Sequence, residues 1–283
     1  MAPRRGAREL ELEAAARPAA PAAPAAAAGA AGNEALAMLA RRGLRPRVAR
    51  PDVPFPRELD GALADALAAR LGHYGFRLFL RGAIAGQGPF RPAEVTRYLT
   101  PAQAERAAEE LVDLGLAARV DGGLVRLRWR ARSFGGTLEW WVARELRRRL
   151  AADVAACVRS GAPGVGGDLD VVAAVEGKLV YVELKSSPPK HLMPAEVAAF
   201  LRRVRSLRPH LSLFAVDTAL RLPDKVLPML LEAAGRSGPP RRLQRDCWEV
   251  APRLYAVNAR PDLVANLCLA IADGLHQLAP EPP

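Results

Sequence analysis

The stretch from Gly167 to Ser187, GDLDVVAAVEGKLVYVELKSS, constrains the fold more than any other part of the chain. Apolar residues alternate on either side of Glu176-Gly177, the pattern of two β-strands joined by a two-residue turn. Such a turn sets Val175 opposite Lys178. Each step outward pairs the next residues, so Asp170 falls opposite Glu183 and Asp168 opposite Lys185. Strand side chains alternate between faces, so these four charged groups share one side of the hairpin while Val171, Val182 and Leu184 occupy the other. Opposed side chains have Cβ atoms roughly 4.5–5.5 Å apart, and two carboxylates placed there repel unless a cation lies between them. A hard divalent ion such as magnesium takes one or two carboxylates plus water and phosphate oxygens, which answers that need. The competing expectation is a turn one residue longer or shorter, which slips the register and leaves acids merely solvated near strand ends.

At 283 residues, half of them hydrophobic, the chain is long enough to bury a substantial core and, by length, to form two domains. The formal net charge of +11 is carried almost wholly by arginine, which suits phosphate and favours nucleic acid as partner. Arginine and alanine enrichment also follows from a GC-rich coding sequence, so the placement of the charge has to carry the argument. Cys157, Cys247 and Cys268 lack the spacing of a zinc site and suit a reducing compartment. No run approaches the length of a membrane span, and the start, MAPRRGARELELEAAARP, meets charge and proline where a signal peptide has its apolar core. A cytoplasmic protein without a membrane partner is expected.

Three segments follow from the pattern. Residues 1–52 are rich in Ala, Pro and Arg and read as a flexible tail, interrupted by a short helix around Asn33 to Arg42. Residues 53–132 look compact: Leu59, Leu63, Leu67 and Leu71 recur at helical spacing, and FRPAEVTRYL reads as a second short helix. A third helix is bounded by Thr100 as N-cap, Pro101 at its first position, Gln103 completing a capping box and Gly115 at its end. AARVDGGLVRLRWRAR then reads as two strands about an Asp-Gly-Gly turn. Three helices and a hairpin resemble a winged helix-turn-helix domain. Its hairpin would set Arg126, Arg128, Arg130 and Arg132 on one face, ready to lie along phosphates. Its third helix, with Glu105, Glu109, Glu110 and Asp113 against Arg106, complements a phosphate-walled groove poorly. Contact with DNA through the wing, contact with protein and a purely structural role all remain open for this domain.

Residues 133–283 begin with GGTLEWWVARELRRRL, a helix in which Glu139 shares a stripe with Val142, Ala143, Leu146 and Leu150. An acid there is either a capping or hydrogen-bonded core group, or it faces the carboxylates of the hairpin. Beyond the hairpin come a helix from about Pro194 to Leu207, the strand LSLFAVDTAL, a helix near Pro223 to Ala234, the strand EVAPRLYAVNA and a last helix from Pro261. Strands alternating with helices after an initial hairpin argue for a mixed α/β sheet flanked by helices.

A helical Glu139, then Gly167-Asp168-Leu169-Asp170, then Glu183-Leu184-Lys185 on the next strand resembles the PD-(D/E)XK nuclease superfamily and its restriction-endonuclease-like fold. The resemblance covers residues 134 to 283, with its motifs in the first third of that span. It implies Asp170 and Glu183 as ligands of Mg2+ or Mn2+, Lys185 as the group that orients the attacking water, and Glu139 as an added helical acid. Asp168 is an auxiliary candidate that pairs with Lys185, tunes it, or ends the strand. The Gln-x-x-x-Tyr of the recombination-exonuclease branch is absent from the following helix, and Lys190 and His191 in the loop SSPPKHLMP read as exposed. The function implied is a magnesium-dependent DNA endonuclease, its winged domain positioning duplex or branched DNA, with a homodimer suited to duplex cutting. The alternative is a non-catalytic DNA-binding or regulatory protein that keeps the nuclease-like scaffold.

Overall fold

The computed structural model describes residues 32–56, 58–161, 166–244 and 246–280. Its centre is the expected hairpin, β5 (Asp168–Val175) and β6 (Lys178–Lys185), with Val175 opposite Lys178 and Val171 opposite Val182. Glu176 and Gly177 both have positive φ, 49° and 69°, the backbone of a two-residue turn whose twist matches that of its strands.

Eight strands form one sheet around this hairpin. On one side lie β4 (Asp153–Arg159) and the two-residue edge β1 (Arg47–Val48). On the other lie β7 (Leu211–Val216), β10 (Leu254–Asn258), β9 (Cys247–Ala251) and β8 (Arg241–Gln244). β6, β7 and β10 run parallel, and the remaining neighbours are antiparallel. The sheet is therefore mixed, as the order of elements predicts. The single strand expected at EVAPRLYAVNA is instead the hairpin β9–β10. Pro252 has no N–H to give the ladder, and Arg253 turns the chain at φ 64°.

Helices cover both faces. One face carries α1 (Glu34–Arg41), α6 (Pro194–Leu207) and α7 (Val226–Ala233), packed through Leu36, Phe200 and Leu230. Phe200 lies 5.2 Å from Phe214 of β7 and 5.7 Å from Tyr181 of β6, ring centre to ring centre. Truncating a ring buried like this typically costs about 3–5 kcal/mol. The opposite face carries α5 (Gly135–Leu150) and α8 (Leu263–Leu278). The same apolar cluster continues without a break into α2 (Gly61–Gly72), α3 (Tyr74–Ala85) and α4 (Pro101–Asp113). The boundary expected between residues 132 and 133 is thus not a break in packing.

Two other expectations change. Residues 1–31 of the expected tail lie outside the described residues, but residues 34–48 do not behave as a tail. α1 is capped by Asn33, buries Ala35, Leu36 and Leu39, and leads into β1, which pairs with β4. A two-turn helix forms no core alone; here it is stabilised by packing on a face of the sheet, while β1 covers the otherwise open edge of β4. The hairpin of β2 (Ala117–Val120) and β3 (Leu124–Leu127) is also shorter than expected. β3 stops at Leu127, and the backbone N–H of Arg128 turns back to the carbonyl of Leu116 at 2.9 Å. Arg126, Arg128, Arg130 and Arg132 are all exposed, yet only Arg126 belongs to a strand, so the four do not line one strand face. The third helix is capped as read, with Thr100, Pro101, Gln103 and a positive-φ Gly115 in their expected roles. Among the described residues, no helix is long and apolar enough to cross a membrane.

Candidate active site

The parts of the site are placed from three directions. The turn at Glu176-Gly177 sets the hairpin register. Near its open end the β5–β6 ladder stops at Val171–Val182, and the Asp170 carboxylate accepts the backbone N–H of Leu184 at 2.7 Å. The expected opposition of Asp168 and Lys185 is not made. Asp168 pairs with Arg159 of β4, whose Nε lies 3.4 Å from its carboxylate. Beside this opening, β4 carries Cys157 at φ 53°, between the pairs Ala156–Val171 and Val158–Leu169. That conformation is uncommon for a residue with a Cβ. The Cys157 thiol donates to Glu139 Oε2 at 2.9 Å, fastening the acid of α5 to the sheet. The start of α5 is fixed in turn by Gly136, where a Cβ would sit 2.6 Å from the Asp52 carbonyl oxygen.

Glu183 is the most enclosed acid of this site, at 2% exposure. Arg203 of α6 donates from Nη2 to both of its oxygens at 2.7 Å and from Nε to the Tyr181 hydroxyl at 2.8 Å. The Tyr181 hydroxyl donates to Glu183 as well. Lys185 Nζ stands 3.0 Å from Glu183 and 3.2 Å from Glu196. Burial alone would lower the pKa of both basic groups. The acids around them outweigh it, so Lys185 and Arg203 are both held above their ordinary values and stay charged.

Among the described residues, Glu139 and Asp170 have no such cationic partners. Burial, then the charge of Glu183 and of Glu139, pushes Asp170 well above the usual carboxylate range. Burial raises Glu139 to about 7; the Cys157 thiol opposes this, and the charges of Asp168 and Glu183 reinforce it. Asp170 accepts the Leu184 N–H and Glu139 accepts from Cys157 alone, through its thiol and its backbone N–H, so neither acid receives a cationic donor among the described residues. The cavity thus holds more negative than positive charge, and its two open carboxylates are hard oxygen ligands, a set that fits magnesium or manganese. Among the described residues, no three His, Cys, Asp or Glu groups form a cage made by protein alone. Magnesium typically keeps several waters and needs one or two carboxylates.

The structure brings Glu139, Asp170, Glu183 and Lys185 together and sets Asp168 at the rim. Arg126, Arg128, Arg130 and Arg132 belong to the helical part of the molecule, and Lys190 and His191 lie exposed in a short turn. Arg203, Tyr181 and Cys157 escaped the sequence reading. Arg203 had a signal: Glu196, Phe200, Arg203 and Leu207 form one helical stripe, so a base sits in an apolar face as Glu139 does on α5.

No family model matches the chain, and no curated protein matches it. Among solved structures it is similar to protein VC1899 from Vibrio cholerae, with 15% identity and a TM-score of 0.48 over 84% of this chain and 60% of that one. It is also similar to Can2 from Sulfobacillus thermosulfidooxidans, determined in complex with cyclic tetra-adenylate, with 16% identity and a TM-score of 0.47 over 83% of this chain and 59% of that one. The chain therefore spans about three fifths of the length of each.

Proposed function

We propose that the chain is a metal-dependent phosphodiesterase of PD-(D/E)XK type, with a restriction-endonuclease-like fold, that hydrolyses DNA. The observation that carries this reading is the gathering of Glu139 and Asp170, both raised by burial and by neighbouring acids, beside Lys185, whose Nζ lies 3.0 Å from Glu183 and 3.2 Å from Glu196. Asp170 and Glu139 would hold Mg2+ or Mn2+, with Glu183 behind them. When bound, such an ion supplies Lewis acidity at a phosphoryl oxygen and at an attacking water. Lys185 keeps its charge through Glu183 and Glu196, and its ammonium holds the water and meets the charge that builds on the phosphate. Arg203 fixes the Glu183 carboxylate, so that Lys185 is directed by a rigid acid.

The exposed arginines between 126 and 132 serve as phosphate contacts of a winged-helix-like module. The acids of α4 oppose this less than their number suggests, because Glu105 and Glu109 pair with Arg119 and Glu110 with Arg70. Cutting both strands of a duplex calls for a second copy of the chain.

A second reading, a DNA-binding regulatory scaffold without catalysis, is favoured by one observation: Glu183 is satisfied by Arg203, Tyr181 and Lys185 and needs no cation. Incubation with supercoiled, linear, single-stranded and branched DNA, with and without Mg2+ or Mn2+, separates the two. Metal-dependent cleavage of any form supports the nuclease. Binding without cleavage under every condition leaves the scaffold.

A further inference from the structure

Three segments distant in sequence bring arginines to one cavity at the far side of the sheet. Arg221 follows β7, Arg242 belongs to β8 and Arg260 follows β10, and together with Trp248 of β9 and Asp246 they line a space of about 460 Å³. The cavity opens where the parallel strands β7 and β10 end, the side of a parallel sheet at which ligands characteristically bind. It is the same end at which β6 delivers Lys185, since Lys185 pairs with Val216 and Val216 with Asn258.

The cavity is built from inside the fold. Asn258, fully buried at the end of β10, donates from Nδ2 to the Leu220 carbonyl at 3.0 Å and accepts the Arg260 N–H at 3.0 Å. Asn266 of α8, also buried, donates to the carbonyls of Asn258 and Arg260, each at 2.9 Å. Two buried amides thus hold the backbone beside Arg221 and Arg260 in place, which limits the ordering that binding would otherwise require. The Arg242 guanidinium stacks 5.2 Å from the centre of the Trp248 ring, forming a flat cationic and aromatic platform. Among the described residues, the buried indole N–H of Trp248 has no acceptor, an unusual state for that donor. Among the described residues, three guanidinium groups meet two carboxylates, the enclosed Asp246 and Asp224, which lies 3.9 Å from Arg221, so the cavity keeps a net positive charge.

We propose that Arg221, Arg242, Arg260 and Trp248 form a nucleotide-binding subsite, the arginines taking phosphate and the Arg242–Trp248 platform taking a base. This chemistry has two sources, a strand that continues from the catalytic cavity or a free nucleotide. The first rests on the nuclease reading. Three strand spacings separate β6 from β9, about 14 Å, a span covered by about four stacked nucleotides.

The test measures binding by fluorescence anisotropy without added metal, so that it stands apart from cleavage. Its probes are a labelled single-stranded 12-mer, a trimer and a labelled adenosine monophosphate. Arg221→Ala/Arg260→Ala is compared with the parent and with Arg236→Gln/Arg253→Asn, which removes equal charge outside the cavity. If a strand occupies the subsite, the cavity variant loses about tenfold or more in 12-mer affinity. Its salt slope falls by about 1.4, and its binding of the trimer is unchanged. If a free nucleotide is the ligand, adenosine monophosphate binds the parent and the control but not the cavity variant. A cavity variant that matches the control with every probe overturns the subsite. Arg260→Lys, which keeps the charge, retains more binding than Arg260→Ala, and superimposable thermal melts exclude misfolding as the cause. A parent that binds the 12-mer but cleaves nothing with either metal sinks the nuclease and leaves the subsite standing.

Discussion

At the end of β7, Asp217 is 1% exposed and receives Arg77 from Nε and Nη2 at 3.0 and 2.9 Å and Arg81 at 2.7 Å. Arg77 also donates to the Leu71 and Gly72 carbonyls and lies 4.7 Å from the centre of the Trp141 ring. The Asp217 N–H donates to the carbonyl of Lys185, so this cluster adjoins the strand that carries the proposed catalytic lysine. On the other side of that strand, Glu139 and Asp170 are half-buried, lie close to other acids and, among the described residues, have no ion pair of their own. Both clusters gather charge, but one closes on protein groups and fastens α3 to the sheet, while the other is the one proposed to be completed by a metal ion. A buried charge speaks for structure when its partners lie in the chain and for function when they do not.

The comparison breaks most visibly at Lys185. Lys185→Ala is expected to lower cleavage by about 10²–10⁴-fold while DNA binding stays close to that of the parent, measured as single-turnover rates beside anisotropy. Unchanged cleavage per folded molecule would move Lys185 into the structural class with Arg77. In the balanced cluster, Asp217→Ala leaves two arginines without their acid and should cost about 3–5 kcal/mol in urea unfolding. A loss below about 1 kcal/mol would show that the cluster is not what ties α3 to β7.

The unbalanced cluster should respond with the opposite sign. Asp170→Asn removes one of the repelling charges, so without metal it should be neutral or stabilising in the same assay. Mn2+ at a hundred times its Kd should stabilise the parent by about 2.7 kcal/mol and leave Asp170→Ala unmoved. Equal stabilisation of both proteins would place the metal elsewhere. Arg126, Arg128 and Arg130 extend the contrast to exposed charge: reversing all three to Glu should weaken duplex binding alike for every sequence and reduce the salt slope by about one unit per lost phosphate contact. Undiminished affinity would turn that surface toward a protein partner.

The smallest effect concerns His210, whose Nδ1 accepts the Leu179 N–H at 2.8 Å. Burial, then the charges of Arg42, Lys178 and Arg253, lowers its pKa below the ordinary value of about 6.5. A depressed imidazole contributes its stability in full above about pH 6.5 and loses it as pH falls through the folded value. His210→Asn keeps an acceptor that does not titrate, so its melting temperature should fall less than that of the parent between pH 7 and pH 5. Parallel curves would remove His210 from the acid response.

The fold and site were legible wherever the controlling interactions are local. The turn at Glu176-Gly177 and the register from Val175–Lys178 to Val171–Val182 follow from two residues and an alternation. The caps at Thr100 and Gly115 follow from residues a few positions apart, and Glu139 showed itself as an acid in an apolar stripe. What only the tertiary structure decided depends on contacts between distant segments. Arg203 reaches Glu183 across 20 residues, and Arg77 reaches Asp217 across 140. The β5–β6 ladder ends where Asp170 takes the Leu184 N–H, a choice made by three strands and α5 together. Residues 34–48 became helix and strand because the edge of β4 was open to them. A hairpin carries its own geometry in its turn and alternation. Which charges are answered by the protein, and which are left for a ligand, is settled only when the whole chain has packed.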